Sequence, residues 1–368
     1  MNPYVRLLQA ALSEAGISCS VAGGLSPRSL CLEKGTANIL HLHWLELLYS
    51  SLALPRTVRR LTAVLAALVW AKSRGCKIVY TLHNLNPHEQ AFPFVSRAAD
   101  RMVLALADAV HVHDDEAKLS ARRVYGQPRR IYVVPHGSYI GAYPNDCTRQ
   151  EARARLGLAD NAFVYLFLGQ VRRYKGVEDL IAAFTQLPDG VCRLCLAGHV
   201  HDQAYGESLI QLVRGQERIH TWFHYVADSE VQHFMNACDV CVLPYRDVTT
   251  SGAAILAFSF GKPIIAPVLG GFTELAANGR GIAYDPERAD GLLHALQQAC
   301  LTDMVGAGQK AWMWAKEHEW QALAPSFISI YEDVLGIRSS CPSSGAFAPQ
   351  GNGGRGPNRE VTKNDRRA

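Results

Sequence analysis

Three cations stand where a strand-like run breaks off. The stretch FVYLFLGQVRRYKG, residues 163–176, is apolar and aromatic up to Gly169 and then carries Arg172, Arg173 and Lys175. A buried parallel strand that opens into a loop of fixed positive charge is a place for an anion. In an open α/β sheet ligands sit past the carboxyl ends of strands, so the simplest ligand for these cations is a diphosphate.

A second stretch supplies the complementary half. CDVCVLP, residues 238–244, reads as another buried strand. Tyr245, Arg246 and Asp247 follow, then Thr249, Thr250, Ser251 and Gly252. Thr250 or Ser251 is a fair N-cap for a helix over residues 252–260. Such a helix start offers unpaired N–H groups and a partial positive charge, and small residues let a phosphate come close. Two anion-seeking elements in one half-chain favour a nucleoside diphosphate over an isolated anion.

These residues need a sheet to hold them, and the alternation of elements provides one. In the second half, strands are expected at 163–168, 192–197, 219–225, 238–244, 263–267 and 280–286. Helices are expected at 149–156, 177–187, 207–213, 231–237 (capped by Asp228 or Ser229), 252–260, 290–299, 304–317 and 320–335. In the first half, helices are expected at 3–15, 56–72, 94–107 and 117–125. Strands are expected at 18–22, 38–44, 76–82, 109–113 and 131–135. The strand that such domains normally place before their first helix is absent. Either the chain starts short or another segment fills the place, and the sheet edge there is expected to be incomplete.

The chain of 368 residues, 48% hydrophobic, can bury two ordinary cores. Its net charge of +4 hides an asymmetry: residues 1–145 hold 16 Lys+Arg and 9 Asp+Glu, a difference of +7, and the remainder carries −3. A basic half suits a nucleic acid, an anionic membrane or a phosphate-rich acceptor. No aromatic-plus-basic run marks an RNA-binding module, so nucleic acid is set aside. The helix at 56–72 carries Arg56, Arg59, Arg60, Lys72 and Arg74 beside an apolar stripe with Trp70. Its two readings are a solvated surface helix and an in-plane contact with anionic lipid.

The opening residues read as an amphipathic pattern, so no signal peptide is expected, and the most apolar segment, residues 61–70, is too short to span a bilayer. Ten cysteines without a secretion signal suggest reduced thiols in the cytoplasm. Cys192/Cys195 and Cys238/Cys241 have knuckle-like spacing. Each pair lies in a strand-like run, where positions three apart point to opposite faces, so buried thiols are the better reading and no metal is expected. The alternating His111 and His113 are read as hydrogen-bonded strand residues, with no third ligand in evidence.

RRYKG after a strand, PYRDVTTSGAAILAFSFGKPIIA further on and GGFTEL after that resemble the donor half of a GT-B glycosyltransferase. The likeness is to the bacterial family 4 group and its exopolysaccharide relatives. It spans roughly residues 3–335. It implies an α/β chain with two Rossmann-like domains around a cleft: residues 1–145 on the acceptor side, 146–337 binding the nucleotide sugar, with the closing helix crossing back. Residues 338–368 read as a disordered tail. The resemblance further implies a metal-independent hexosyltransferase of polysaccharide biosynthesis with no cofactor and a UDP- or GDP-linked donor. The implied acceptor is a polyprenyl-diphosphate-linked or other saccharide, met in the cytoplasm at the inner membrane face. Arg172 and Lys175 would stabilise the leaving diphosphate. His83, in the strand-end sequence TLHN, would bond the transferred sugar or position the acceptor hydroxyl, with His88 and Glu89 as weaker base candidates. Gly169, Gly198, Tyr225, Thr250, Ser251, Gly252 and Glu274 would line the donor. One departure stands out: Val248 and Leu256 occupy the two positions where the family usually shows glutamates, and Thr250 and Ser251 are expected to replace part of them. A nucleotide-sugar epimerase, a phosphorylase, and a non-catalytic nucleotide-sugar-binding homologue are the alternatives on this fold.

Overall fold

Short β-branched and aromatic runs separated by amphipathic segments build two parallel sheets. The computed structural model describes residues 3–22, 24–25, 38–84, 92–126, 130–188 and 190–337. His88, Glu89 and the tail from residue 338 lie outside them.

The first half runs α1 (Tyr4–Glu14), β1 (Ile39–Leu42), α2 (Glu46–Tyr49), α3 (Leu54–Ser73), β2 (Lys77–Thr81), α4 (Pro93–Leu106), β3 (Ala109–Val112), α5 (Asp115–Tyr125) and β4 (Ile131–Val133). Its strands pair in parallel in the order β1-β2-β3-β4. Residues 18–22 form no strand. Ile17 donates its N–H to the Leu12 carbonyl and the Gln9 amide donates to the Cys19 carbonyl, so this segment is tied to α1 and not to the sheet. Among the described residues β1 is an edge strand, with its first three residues only half-buried.

The second half runs α6 (Arg149–Leu156), β5 (Phe163–Leu168), a 3₁₀ turn at Arg173–Lys175, α7 (Val177–Thr185), β6 (Cys192–Ala197), α8 (Gln203–Val213), β7 (Ile219–Trp222), α9 (Val231–Ala237), β8 (Val240–Val242), α10 (Gly252–Ser259), β9 (Ile264–Pro267), α11 (Phe272–Ala276), β10 (Gly281–Tyr284), α12 (Gly291–Ala299), α13 (Met304–Glu317) and α14 (Trp320–Leu335). The strand order is β10-β9-β8-β5-β6-β7, all parallel. Order reverses at β5, which lies between β8 and β6, and ligands of doubly wound sheets bind at such a switch point. Buried on both faces, β5 reads as a continuous apolar run for that reason. Two local expectations fail. No side chain caps α9, because Ala227–Glu230 form a turn whose last residue already has helical angles. Cys238 and Cys241 are not on opposite strand faces; β8 begins only at Val240, and the two sulfurs are 4.0 Å apart.

The two halves are joined through α14. Its Phe327, Ile330 and Tyr331 pack with Tyr4 and Leu8 of α1 and Val79 of β2. Trp320 Nε1 donates to the Ser138 carbonyl at 2.8 Å, and Ser138 N–H donates to the His318 carbonyl at 2.8 Å. The closing helix is thus part of the first half's core.

Candidate functional site

A cleft of about 560 Å³ opens at the carboxyl ends of β5, β6 and β8, walled on the other side by Pro3 and Asn84 of the first half. That volume suits a nucleoside diphosphate sugar. Its floor is glycine at two adjacent strand ends. Gly198 adopts φ +141°, and a Cβ there would stand 1.7 Å from the Gly169 carbonyl oxygen. Only glycine lets β5 and β6 end this close together.

Above that floor stands Lys175. Its ammonium donates to the Tyr245 hydroxyl at 3.0 Å. It also lies over Gly169, 3.4 Å from where a Cβ on that residue would be. Burial pulls the Lys175 pKa below the ordinary lysine value, and the nearby Arg172 charge adds to that pull while Tyr174 opposes it. A desolvated cation that pairs with no carboxylate among the described residues attracts an anion strongly.

The tip of α10 faces the same space. Ser251 is the N-cap, its Oγ accepting from the Ala254 N–H at 3.3 Å. Thr250, Ser251 and Gly252 line the cleft. The Thr250 hydroxyl oxygen is buried and has no hydrogen-bond partner among the described residues. Tyr139, from the crossover between the halves, also lines the cleft. Its backbone N–H donates to Ser259 Oγ at 2.8 Å, and its hydroxyl lies 3.2 Å from a Cβ built on Gly252. Tyr225 stands at the far wall, 66% exposed.

The structure therefore gathers Gly169, Lys175, Gly198, Tyr225, Thr250, Ser251 and Gly252 around one space. Four expected residues are not in its lining. Arg172 is half-buried outside it, donating to Gln170 Oε1 at 3.0 Å, and it is Gln170 that lines the cleft. Arg173 turns away to pair with Asp202 at 3.2 Å. Arg172 precedes the 3₁₀ turn with extended backbone angles, and within the turn Tyr174 and Lys175 line the cleft while Arg173 does not. Glu274 is exposed on α11, because that helix is anchored by the buried Phe272, whose ring packs 5.3 Å from Tyr245. Its charge acts instead on Asp114 of the first half, whose carboxyl is pushed up to about 6, chiefly by burial.

His83 is the fourth. It is 8% exposed, and both ring nitrogens are engaged: Nε2 is 3.1 Å from His43 Nδ1, and Nδ1 is 3.3 Å from His113 Nε2. Trp44, held at φ +44°, stacks on the ring at 4.0 Å. His83 borders a separate cavity of about 10 Å³, with room for one water. Its neighbour Asn84 reaches the main cleft. His41, His111 and His136 extend the network. His41 bonds Tyr331 and Thr81 at 2.8 and 2.7 Å, and Thr81 bonds His111 at 2.9 Å. Burial first, and then their mutual charge, hold His41, His43, His83 and His113 well below the normal histidine value, and burial also leads for His111 and His136. Among the described residues no group of three His, Cys, Asp or Glu is arranged to hold a metal.

Val248 and Leu256 both line the cleft, so two positions expected to carry carboxylates in this fold are apolar. Asn84, Gln170 and Tyr139 were not legible as site residues. Asn84 and Tyr139 come from the other half or the crossover, and Gln170 carried no charge to single it out.

The lipid-facing reading of α3 also changes in detail. Leu61 and Leu68 face the core. Apart from Val69, its exposed large apolar residues lie at its beginning and just before it: Leu47, Leu52 (95% exposed), Leu54 and Val58, beside exposed Arg56, Arg59 and Arg60. No helix among the described residues is long and apolar enough to cross a membrane.

Comparison with known proteins agrees with this fold. The family described as "Glycosyl transferases group 1" matches residues 148–310, and that described as "Glycosyltransferase Family 4" matches residues 1–138. A D-inositol 3-phosphate glycosyltransferase 1 from Catenulispora acidiphila is 30% identical over 307 residues, covering 75% of this chain and 71% of that protein. A GDP-mannose:glycolipid 4-beta-D-mannosyltransferase from Xanthomonas campestris pv. campestris is 26% identical over 270 residues, covering 72% and 70%. The fold matches a sucrose-phosphate synthase from Thermosynechococcus elongatus with a TM-score of 0.69 at 22% identity, over 92% of this chain and 94% of that one.

Proposed function

The chain belongs to the GT-B glycosyltransferases of the group 1 and family 4 type, and from that premise we propose that it moves a hexose from a UDP- or GDP-linked donor to a lipid-linked saccharide at an anionic membrane surface. Glycosyl transfer from a nucleotide sugar is the activity of the family. The donor base, the acceptor and the membrane are the finer reading.

One observation carries it: the Lys175 ammonium, the glycine floor at Gly169 and Gly198, and the Ser251–Gly252 helix tip converge in one cleft. Bond cleavage at the anomeric carbon puts negative charge on the departing diphosphate. A preorganised ammonium and a row of free N–H groups stabilise that charge without reorganising. They supply built-in positive potential, which is why metal independence is part of the proposal. Arg172, one residue outside the cleft, is proposed to exchange Gln170 for a phosphate oxygen when donor binds. Thr250, with its unpartnered hydroxyl, is proposed to bond the donor where a carboxylate would otherwise do so. Tyr225 would border the base and Gly252 the phosphate. Closure of the two halves would then bring Asn84 and the His83 strand end onto the transferred sugar and exclude water. With both nitrogens engaged and its protonation suppressed, His83 acts as a neutral positioning residue.

The membrane reading rests on Leu52, Leu54 and Val58 beside Arg56, Arg59 and Arg60. The name of the Xanthomonas relative, with its GDP-mannose donor and glycolipid acceptor, supports the GDP and lipid arms. A polyprenyl-diphosphate-linked saccharide of polysaccharide assembly is the proposed acceptor class, met at the cytoplasmic membrane face. The test incubates the full chain with UDP- and GDP-hexoses, with and without a bacterial lipid extract and with excess chelator. Acceptor-dependent release of nucleoside diphosphate and labelling of a lipid, insensitive to chelator, is the expected result. Sugar isomers formed from donor alone would contradict it in favour of an epimerase.

A further inference from the structure

We propose that Cys192 and Cys300 are a redox-closable thiol pair, which a peroxide or a disulfide-class oxidant converts to a disulfide that staples β6 to α12 at the end of the sheet opposite the cleft. Cys192 is the first residue of β6 and Cys300 is the C-cap of α12. Their sulfurs stand 3.5 Å apart. The Tyr165 hydroxyl donates to the Leu296 carbonyl at 2.6 Å and lies 3.0 Å from Cys300 Sγ, which holds that thiol against its partner. A disulfide needs the sulfurs at about 2 Å, so the remaining approach is within reach of side-chain rotation.

Access separates this pair from Cys238 and Cys241. Those sulfurs are 4.0 Å apart but are both buried, and Cys238 Sγ is bonded to the Met235 carbonyl. Cys300 is exposed and Cys192 half-buried. Burial, reinforced by the bond to Cys300, pushes the Cys192 thiol up, and Cys300, the exposed member, is the one a dissolved oxidant reaches first.

With hydrogen peroxide the steps balance. The Cys300 thiolate attacks one peroxide oxygen, the O–O bond breaks, hydroxide leaves and a sulfenic acid forms. Cys192 then displaces the sulfenic oxygen as water, closing the S–S bond. With oxidised glutathione, Cys300 attacks a glutathione sulfur and Cys192 expels the second glutathione thiol. The loop closed is about a hundred residues long, so the constraint on the unfolded chain is large.

The experiment exposes the full chain to hydrogen peroxide and, in parallel, to oxidised glutathione, then maps peptides and records thermal unfolding. The expected result is a Cys192–Cys300 cross-linked peptide reversed by dithiothreitol, with a melting temperature raised by roughly 5 °C or more. Both changes should be absent in Cys300→Ser and in Cys192→Ser. A stable glutathione adduct or a sulfinic acid on Cys300 with Cys192 still free would overturn the proposal. So would an equal rise in melting temperature in the serine variants. No donor or acceptor enters the measurement, so its outcome is independent of the transferase reading.

Discussion

The Lys175 ammonium and the Tyr245 hydroxyl, 3.0 Å apart, tie the loop after β5 to the loop after β8 across the point where strand order reverses. The pair puts a cation in a fixed place before any ligand arrives. Lys175→Met should keep the fold, because the stem still fills its space, and should lower turnover by about a hundredfold to a thousandfold. Tyr245→Phe leaves the charge and frees its position, so a smaller loss is expected. Steady-state kinetics with circular dichroism as the fold control checks both; near-normal turnover in Lys175→Met would refute the site.

Gly198→Ala should damage the cleft floor. The added methyl would sit on the Gly169 carbonyl, and φ +141° is itself unfavourable for alanine. A stability loss of roughly 1–3 kcal/mol and a clear loss of donor affinity are expected from chemical denaturation and binding titration. An unaltered affinity would mean the strand ends do not form the donor floor.

The histidine network predicts the direction of acid sensitivity. Histidines His41, His43, His83, His111, His113 and His136 are buried neutral, with His43 lowered to about 3 and His111 and His136 to about 4 from 6.5. Below 6.5 the unfolded chain binds protons that the folded chain refuses. Their contribution to stability is therefore intact above pH 6.5 and lost as pH falls towards 4, by up to roughly 1.4 kcal/mol per group per pH unit. Asp100 and Asp114, raised to about 6, act oppositely: their contribution is full near pH 4 and lost as pH rises through 6. Six groups outweigh two, so the melting temperature should drop between pH 7 and pH 5. A melting temperature that is flat or rising on acidification would contradict the neutral network.

The exposed patch around Leu52 predicts a salt-sensitive membrane contact. Vesicles rich in phosphatidylglycerol should bind the chain, and phosphatidylcholine vesicles should not. Arg56→Ala with Arg59→Ala should weaken partition roughly tenfold or more, since each surface arginine near anionic lipid is worth about 1 kcal/mol. Equal binding to both vesicle types in sedimentation would exclude this face as the lipid contact.

Much of this architecture is legible in local pattern. The bounds of β5, β6, α9, α13 and α14 follow directly from where apolar runs and helical periods begin and stop. The short α2 and α11 are a turn or so each, too brief for a period to register. The place of Lys175 in the cleft and the Ser251 cap could be read because each depends on a few consecutive residues. The directions of Arg172 and Arg173 could not, since Arg172 bonds Gln170 and Arg173 pairs with Asp202 from beyond the next strand. His83 is recognisable at a strand end, but its engagement is fixed by His43 and His113 from two other strand ends. Pairings of that separation leave no trace in local sequence. Cys192 and Cys300 meet for the same non-local reason: a helix returns to the start of a strand.

The most direct test is the structure of the chain bound to UDP or GDP. The account predicts the diphosphate within hydrogen-bond distance of Lys175 Nζ and of the N–H groups at Ser251 and Gly252, over the glycine floor. A nucleotide bound elsewhere, or one whose phosphates point away from Lys175 and the α10 tip, would contradict it.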